Sequence, residues 1–407
     1  MTVAADSGGV TPRDERRTMS VASGAHALHD GYTDLIYVML PVWQAEFGLS
    51  YAAAGALRGL FAGAMAGLQI PAGHLSERYG AALLLAGGTA LTGLGYCLAG
   101  LSGSFAMLLV ALLIGGIGSS TQHPVASALV ARAFSGSRSL KALGGYNFAG
   151  DIGKMTVPAL AALLMTVMPW RPSLIALGAA GFAAAVLILL LTPRFAPAPV
   201  AASTDDDRAT RPLPPARRYA FPTLLAIGVI DSATRMGFLT FLPFILTAKG
   251  ASLPLIGMAL TLVFAGGAVG KLVCAFIGAR IGIINTVFLT EVMTLALILA
   301  ILPLPLPLEA TLIVLPILGI ALNGTSSVLY GSVPALVAPE KRTRAFGQFY
   351  TGTIGAGAIA PILYGFIGDR IGLGGGVMVV AAMVMLTLPL AFALRPAFAQ
   401  PQSPTTA

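Results

Sequence analysis

The chemistry-bearing residues of this chain are concentrated in its first long apolar stretch, which contains His26, His29, Asp30 and Asp34. His26, Asp30 and Asp34 recur every four residues, and His29 lies one turn from both His26 and Thr33. On a helix these side chains form one polar stripe with Thr33 and Tyr37. A carboxylate among apolar atoms can be switched between its charged and neutral forms by a change in hydration. Imidazole titrates near neutral pH and relays protons. Asp30 is therefore the first candidate for a proton-loading site, with His26, His29, Asp34 and His123 in support. Charged groups at membrane depth cost several kcal/mol unless they face a partner or a water-filled cavity. Four on one face point to movement of protons, ions or polar solutes.

Composition fixes the setting for that stripe. Hydrophobic residues make up 56% of the 407 residues and charged residues only 10%, which predicts an integral membrane protein. Apolar windows predict twelve spans, near 21–46, 51–74, 81–100, 104–131, 140–168, 172–192, 220–248, 254–279, 283–303, 309–337, 343–367 and 374–394. The net charge of +8 is not a nucleic-acid signature, because the basic residues sit in short loops between spans. Seventeen of them, from Arg13 to Arg395, fall on the side of the termini, against Arg171, Lys249 and Arg370 on the other. The bias predicts that both termini are cytoplasmic. The organisation expected is a cytoplasmic tail over 1–20, a six-helix half over 21–192, a proline-rich charged linker over 193–219, a second half over 220–394 and a tail over 395–407. The first apolar stretch is a full-length span with no convincing cleavage site, so it is expected to be retained.

The two halves carry a repeat. Leu40-Pro41 recurs as Leu242-Pro243, Gly55 as Gly257, Arg78 as Arg280 and Gly80 as Gly282, all at one offset, and Pro158 recurs as Pro361 one residue further on. Several matches at one spacing indicate a duplicated fold with parallel halves. The charges do not repeat: Asp30 falls opposite Ser232, Asp151 opposite Ile354 and Lys154 opposite Gly357.

Further polar groups lie inside the predicted spans. Gln122 and His123 follow a small-residue run in span 4, and Asn147, Asp151 and Lys154 share a face of span 5. Asp231 and Arg235 form an i,i+4 pair in span 7, while Asn323 and Tyr330 supply hydrogen-bonding groups in span 10. Arg58 is placed to reach Asp34, and Lys271 to snorkel or to face a cavity. With Gln122, these residues are the substrate-binding candidates; the basic members Arg58, Lys154, Arg235 and Lys271 favour an anionic or zwitterionic solute. An Asp151–Lys154 pair that merely holds its helix is an equal alternative, and Glu291 is assigned a structural role. Cys97 and Cys274 lie in apolar segments and predict no disulfide. Runs such as GGIGSS lack the context of a nucleotide loop. The stripe also has metal-ligand spacing, but without clear outer ligands no metal site is assigned.

Twelve spans, a central linker and a repeated half resemble the major facilitator superfamily. The loop Gly73-His74-Leu75-Ser76-Glu77-Arg78-Tyr79-Gly80 resembles that superfamily's G-x-L-x-D-R-x-G signature, with Glu77 replacing the aspartate and Ala81 and Ala82 standing where basic residues are usual. The resemblance implies that Gly73, Glu77, Arg78 and Gly80 belong to a gating loop that latches the halves on the cytoplasmic side, and that spans 1, 4, 7 and 10 line a central cavity. A narrower resemblance, to the fosmidomycin-resistance branch of drug exporters, rests on His26, Asp30, Pro41, Glu46-Phe47-Gly48-Leu49-Ser50, Gln69, Pro71 and Gly118-Ser119-Ser120-Thr121-Gln122-His123-Pro124. It implies proton-driven export across the inner membrane. His29, Asp34, Asp151 and Lys154 depart from that branch.

The expectation is thus an all-α membrane protein with twelve transmembrane helices in two pseudo-symmetric halves. It would act as a monomeric proton antiporter of the bacterial inner membrane that exports a small anionic or zwitterionic compound. Its partners would be the solute, protons and membrane lipid, with no nucleic acid and no cofactor. Proton-coupled uptake of an organic acid and a metal or metallophore carrier are the alternatives. No motif supports catalysis.

Overall fold

The computed structural model describes residues 11–134, 137–193, 219–302, 306–338 and 341–399. The linker expected over 193–219 and the ends of both tails lie outside the described residues, apart from the linker's first and last positions.

The described residues form helices α1 (Pro12–Phe47), α2 (Tyr51–Gly67), α3 (Gln69–Tyr79), α4 (Ala81–Leu101), α5 (Phe105–Ser119), α6 (Gln122–Ala133), α7 (Ser137–Val167) and α8 (Trp170–Leu191), then α9 (Ala220–Ala248), α10 (Leu253–Ile281), α11 (Ile283–Ile301), α12 (Leu308–Leu336) and α13 (Arg342–Ala399). These make twelve transits. Helices α2 and α3 form one span bent by 46°, α5 and α6 form another, and α13 divides at Gly372, where φ is 83°.

The breaks have a local cause. Pro71 and Pro124 have no N–H for the helical bond, and each ring crowds the carbonyl four residues back, Gly67 and Ser120 respectively. The chain turns at those two places. Helix α1 runs further toward the N-terminus than the expected span. Thr11 caps it, accepting from the Asp14 amide at 3.2 Å, while the Asp14 carboxylate accepts from the Thr11 hydroxyl at 2.6 Å. This capping box, followed by Pro12, makes residues 12–20 helical instead of loose.

The repeat has physical consequences. Gly80 and Gly282, each following an Arg-x pair, adopt φ 89° and 85° with extended ψ, a conformation open to glycine alone. The glycines of the Gly55/Gly257 pair mark the two seams between halves. A Cβ on Gly55 would lie 2.4 Å from the Pro361 carbonyl oxygen, and one on Gly257 would lie 2.6 Å from Ala162 and 3.5 Å from the Pro158 oxygen. Helix α2 thus meets α13 as α10 meets α7, with Pro361 and Pro158 in matching places.

The apolar core shows where the halves join. One large cluster, including Tyr37, Trp43, Phe61, Phe241, Leu242 and Tyr364, draws on both halves at the end of the bundle opposite the termini. At the termini end there are two separate clusters. One contains Val21, Leu85 and Val130 of the first half; the other contains Leu224, Val333 and Phe349 of the second. The halves are therefore sealed at the far end and have separate cores on the termini side. Outward-facing residues such as Val167, Leu190, Leu272 and Ile313 are exposed and apolar, as a lipid-facing surface requires.

Candidate functional site

At mid-depth, α1 brings its polar stripe against α6 and α7. His26 donates from Nδ1 to the Tyr146 carbonyl at 2.9 Å, and its ring stacks on the Tyr146 ring at 4.1 Å. A carbonyl can only accept, so Nδ1 carries the hydrogen and Nε2 of the neutral ring presents a lone pair. That Nε2 faces Asp30 Oδ1 at 3.4 Å, and His29 Nε2 approaches the same oxygen at 3.8 Å. Neither nitrogen has a hydrogen-bond partner. The His123 ring lies edge-on to both, 5.3 Å from His26 and 4.9 Å from His29. His26, His29 and Asp30 are only 3%, 6% and 7% exposed. His26, Asp30 and His123 each offer a ligand atom within 4.8 Å of one another.

A line of charge runs outward from this cluster. Lys154 Nζ lies 3.2 Å from Asp30 Oδ2 and 3.7 Å from Asp151 Oδ1. Asp151 also receives Lys271 from α10 of the other half, with Nζ 2.7 Å from both carboxylate oxygens. The Lys154 and Lys271 side chains are 30% and 39% exposed, so the line begins buried and ends part-exposed at the α7–α10 seam.

The remaining candidates take other positions. Arg58 lies 3.9 Å from Asp34, as its sequence position suggested, and over the Tyr37 ring at 5.0 Å, but it is buried. Tyr37 in turn donates to Met236 Sδ across the halves at 3.3 Å. Gln122 is buried beside a small pocket that His29, Thr92 and Ser119 also line. Asn147 is exposed and stands outside the network. Asp231 and Arg235, the i,i+4 pair of span 7, take separate hydrogen-bond partners: Asp231 accepts from Ser326 at 2.7 Å and Arg235 donates to Asn323 at 3.3 Å. Tyr330 pairs with Thr353 at 2.9 Å, and with Asp231, Arg235 and Ser326 they line a second small pocket within the C-terminal half. Glu77 and Arg78 are exposed on α3, which packs on α4 and α6 of its own half, with Arg78 over the Tyr79 ring.

Two positions escaped the sequence reading. Tyr146 fixes His26 through its backbone carbonyl, which carries no residue-type signal. Asp369 accepts from the Tyr51 and Ala52 amides at 2.6 and 3.1 Å, so one half caps a helix of the other. Its Asp369-Arg370-Ile371-Gly372 run was a legible signal.

A duplicated twelve-helix bundle with a polar, charged centre, a shared core at one end and separate cores at the other has the architecture of a membrane transporter. The chain belongs to the Major Facilitator Superfamily, whose model matches residues 23–307 and 224–407; it is accordingly a carrier and not an enzyme. It is 27% identical over 361 residues to the fosmidomycin resistance protein of Escherichia coli (strain K12), covering 86% of each chain. It is 29% identical over 143 residues to the probable L-galactonate transporter of the same strain, covering 35% of this chain and 32% of that one. Among solved structures it is similar to a bacterial homologue of the human lysosomal transporter Spinster, with a TM-score of 0.79 at 16% identity over 98% of this chain and 100% of that chain. It is also similar to a POT family transporter in complex with 5-aminolevulinic acid, with a TM-score of 0.74 at 11% identity over 94% and 97%. These structures share its fold.

Proposed function

We propose that the protein is a proton-coupled secondary transporter of the bacterial inner membrane that exports a small zwitterionic or anionic compound by alternating access. The observation that carries this reading is the meeting of acceptors at Asp30. With Nδ1 committed to the Tyr146 carbonyl, His26 Nε2 faces the Asp30 carboxylate at 3.4 Å, so that a proton on either group is shared between them. Asp30 is the loading site, with His26, His29 and His123 as the surrounding relay and Asp34, held by Arg58, as its neighbour. The charge bias of the loops orients the termini, and with them the end that has separate cores, toward the cytoplasm. Export agrees with the resistance named for the relative that aligns along most of the chain.

The groups offered to the solute are the cations Lys154, Lys271 and Arg235 and the carboxylates Asp30, Asp151 and Asp231, interleaved along the charge line and the second pocket. Antiport requires the solute to take the place of the proton, so its cationic group belongs at Asp30 and its anionic group at the lysines. A purely anionic solute would instead draw Lys154 off Asp30 and favour proton uptake with it. That is the symport reading, and it agrees with the sugar acid named for the second relative.

The test is accumulation in proteoliposomes with the proton gradient imposed in each direction, using fosmidomycin, L-galactonate and 5-aminolevulinic acid. Wild type moves solute against the inward proton flow, and Asp30→Asn loses the dependence on the gradient while keeping its fold. Full coupled activity in that variant removes Asp30 from the mechanism. Zinc-dependent thermal stabilisation lost in His123→Ala would place a metal ion where the proton is assigned.

A further inference from the structure

We infer that Lys154 is an exchange residue that reports the charge of Asp30 to the contact between the two halves, with Lys271 as the tether it controls. The inference rests on the reading of Asp30 as the group that changes charge. Asp30, Lys154, Asp151 and Lys271 alternate in sign from α1 through α7 to α10, with separations of 3.2, 3.7 and 2.7 Å. Lys154 stands between two carboxylates and can favour either by a small rotation of its long side chain. Asp151 is the shared member: it holds Lys154 within its own helix and Lys271 from the other half.

While Asp30 is charged, it takes most of the Lys154 ammonium, and both oxygens of Asp151 are left to Lys271. The halves are then tied at mid-depth. When Asp30 is neutral, the carboxylates left to Lys154 are Asp34, which also faces Arg58 at 3.9 Å, and Asp151, 3.7 Å away on its own helix; the share that goes to Asp151 is the one that bears on the seam. Two ammonium groups then compete for one carboxylate and repel each other, so the hold on Lys271 weakens. The other groups facing Asp30, namely His26 and His29 on α1, His123 on α6 and Tyr146 on α7, belong to the same half and do not bridge the seam. The sequence repeat agrees with a one-sided device, since Asp30, Asp151 and Lys154 have no charged counterparts in the second half. The arrangement makes Lys154 a positioning residue that acts through Asp151 on the tether.

The experiment is double electron–electron resonance on the full chain in lipid nanodiscs. Cys97→Ala and Cys274→Ala remove the native thiols, and spin labels at Lys141→Cys and Ile281→Cys, both exposed near the termini end of α7 and α10, span the seam. The ratio of the wild-type distance peak to all others should fall about twofold to fivefold in Asp30→Asn, the worth of a part-exposed ion pair. With Lys154→Ala already present, Asp30→Asn should change nothing further, and Lys271→Arg should keep the wild-type response. The same fall in the Lys154→Ala background, or no fall in wild type, overturns the relay. Lys271→Gln removes the tether directly and must shift the peak even if Asp30→Asn is not monodisperse; an unchanged peak there is equally fatal. Transport stays a separate readout: coupled transport by Asp30→Asn refutes the proton-site reading, whereas the peak ratio reads the relay.

Discussion

At the residue scale, the site depends on space as much as on charge. The Asp30–His26 pair fits because position 150 has no side chain. A Cβ on Gly150 would lie 2.6 Å from Asp30 Oδ2 and 2.9 Å from His26 Nε2, whereas one on Gly144 would meet nothing within 4 Å. Overpacking of this kind costs about 1–3 kcal/mol and displaces the groups it touches. Gly150→Ala should therefore reduce transport about tenfold or more, by that cost, while Gly144→Ala stays near wild type. Initial transport rates with parallel melting curves check this; equal rates for the two variants would show that the pair tolerates displacement. The polar stripe on α1 was legible because four-residue spacing is a property of the chain itself. Its closest partners were less so. His123 was expected opposite the stripe, but the Tyr146 carbonyl that sets the His26 tautomer belongs to the backbone, and backbone acceptors look alike in any sequence.

At the element scale, the helices and their breaks follow from proline and glycine positions, and the matched seams follow from the repeat. Gly55 and Gly257 were visible as a pair at one offset, although their meeting with Pro361 and Pro158 was not. Contacts between halves depend on how two separately folded units dock, which local periodicity does not encode. Asp369 illustrates this. It caps the first turn of α2 from the opposite half, satisfying two amides that no residue of α2 can reach. Losing such a cap costs about 1 kcal/mol. Asp369→Ala should thus raise hydrogen exchange at Tyr51 and Ala52 about fivefold, the equivalent of that loss, and should loosen the far-end seal. Unchanged exchange at those amides would mean that Ser50, which also caps α2 by accepting from Ala53 at 3.2 Å, is sufficient.

At the scale of the whole molecule, the three core clusters fit the alternating-access movement proposed above. The shared cluster seals the end away from the termini, and the two private clusters keep each half intact where they part. Each half can then move as a unit, because moving it does not expose its own core. The exposed Glu77 and Arg78 belong to the end with separate cores, and Asp369 to the sealed one. Between them lie Asp30 and the charge line to Lys271, where the proposed proton would bear on both halves. Thermodynamic linkage gives this account a sign. If solute and proton exclude each other at Asp30, binding one must expel the other.

The direct measurement is proton release on binding. A panel of small zwitterions and anions is screened by thermal stabilisation, and the best compound is titrated by calorimetry into purified protein in buffers of different ionisation enthalpy. The account predicts that wild type releases about one proton per solute bound and that Asp30→Asn releases none. Proton uptake on binding by wild type, or undiminished release by Asp30→Asn, would contradict it.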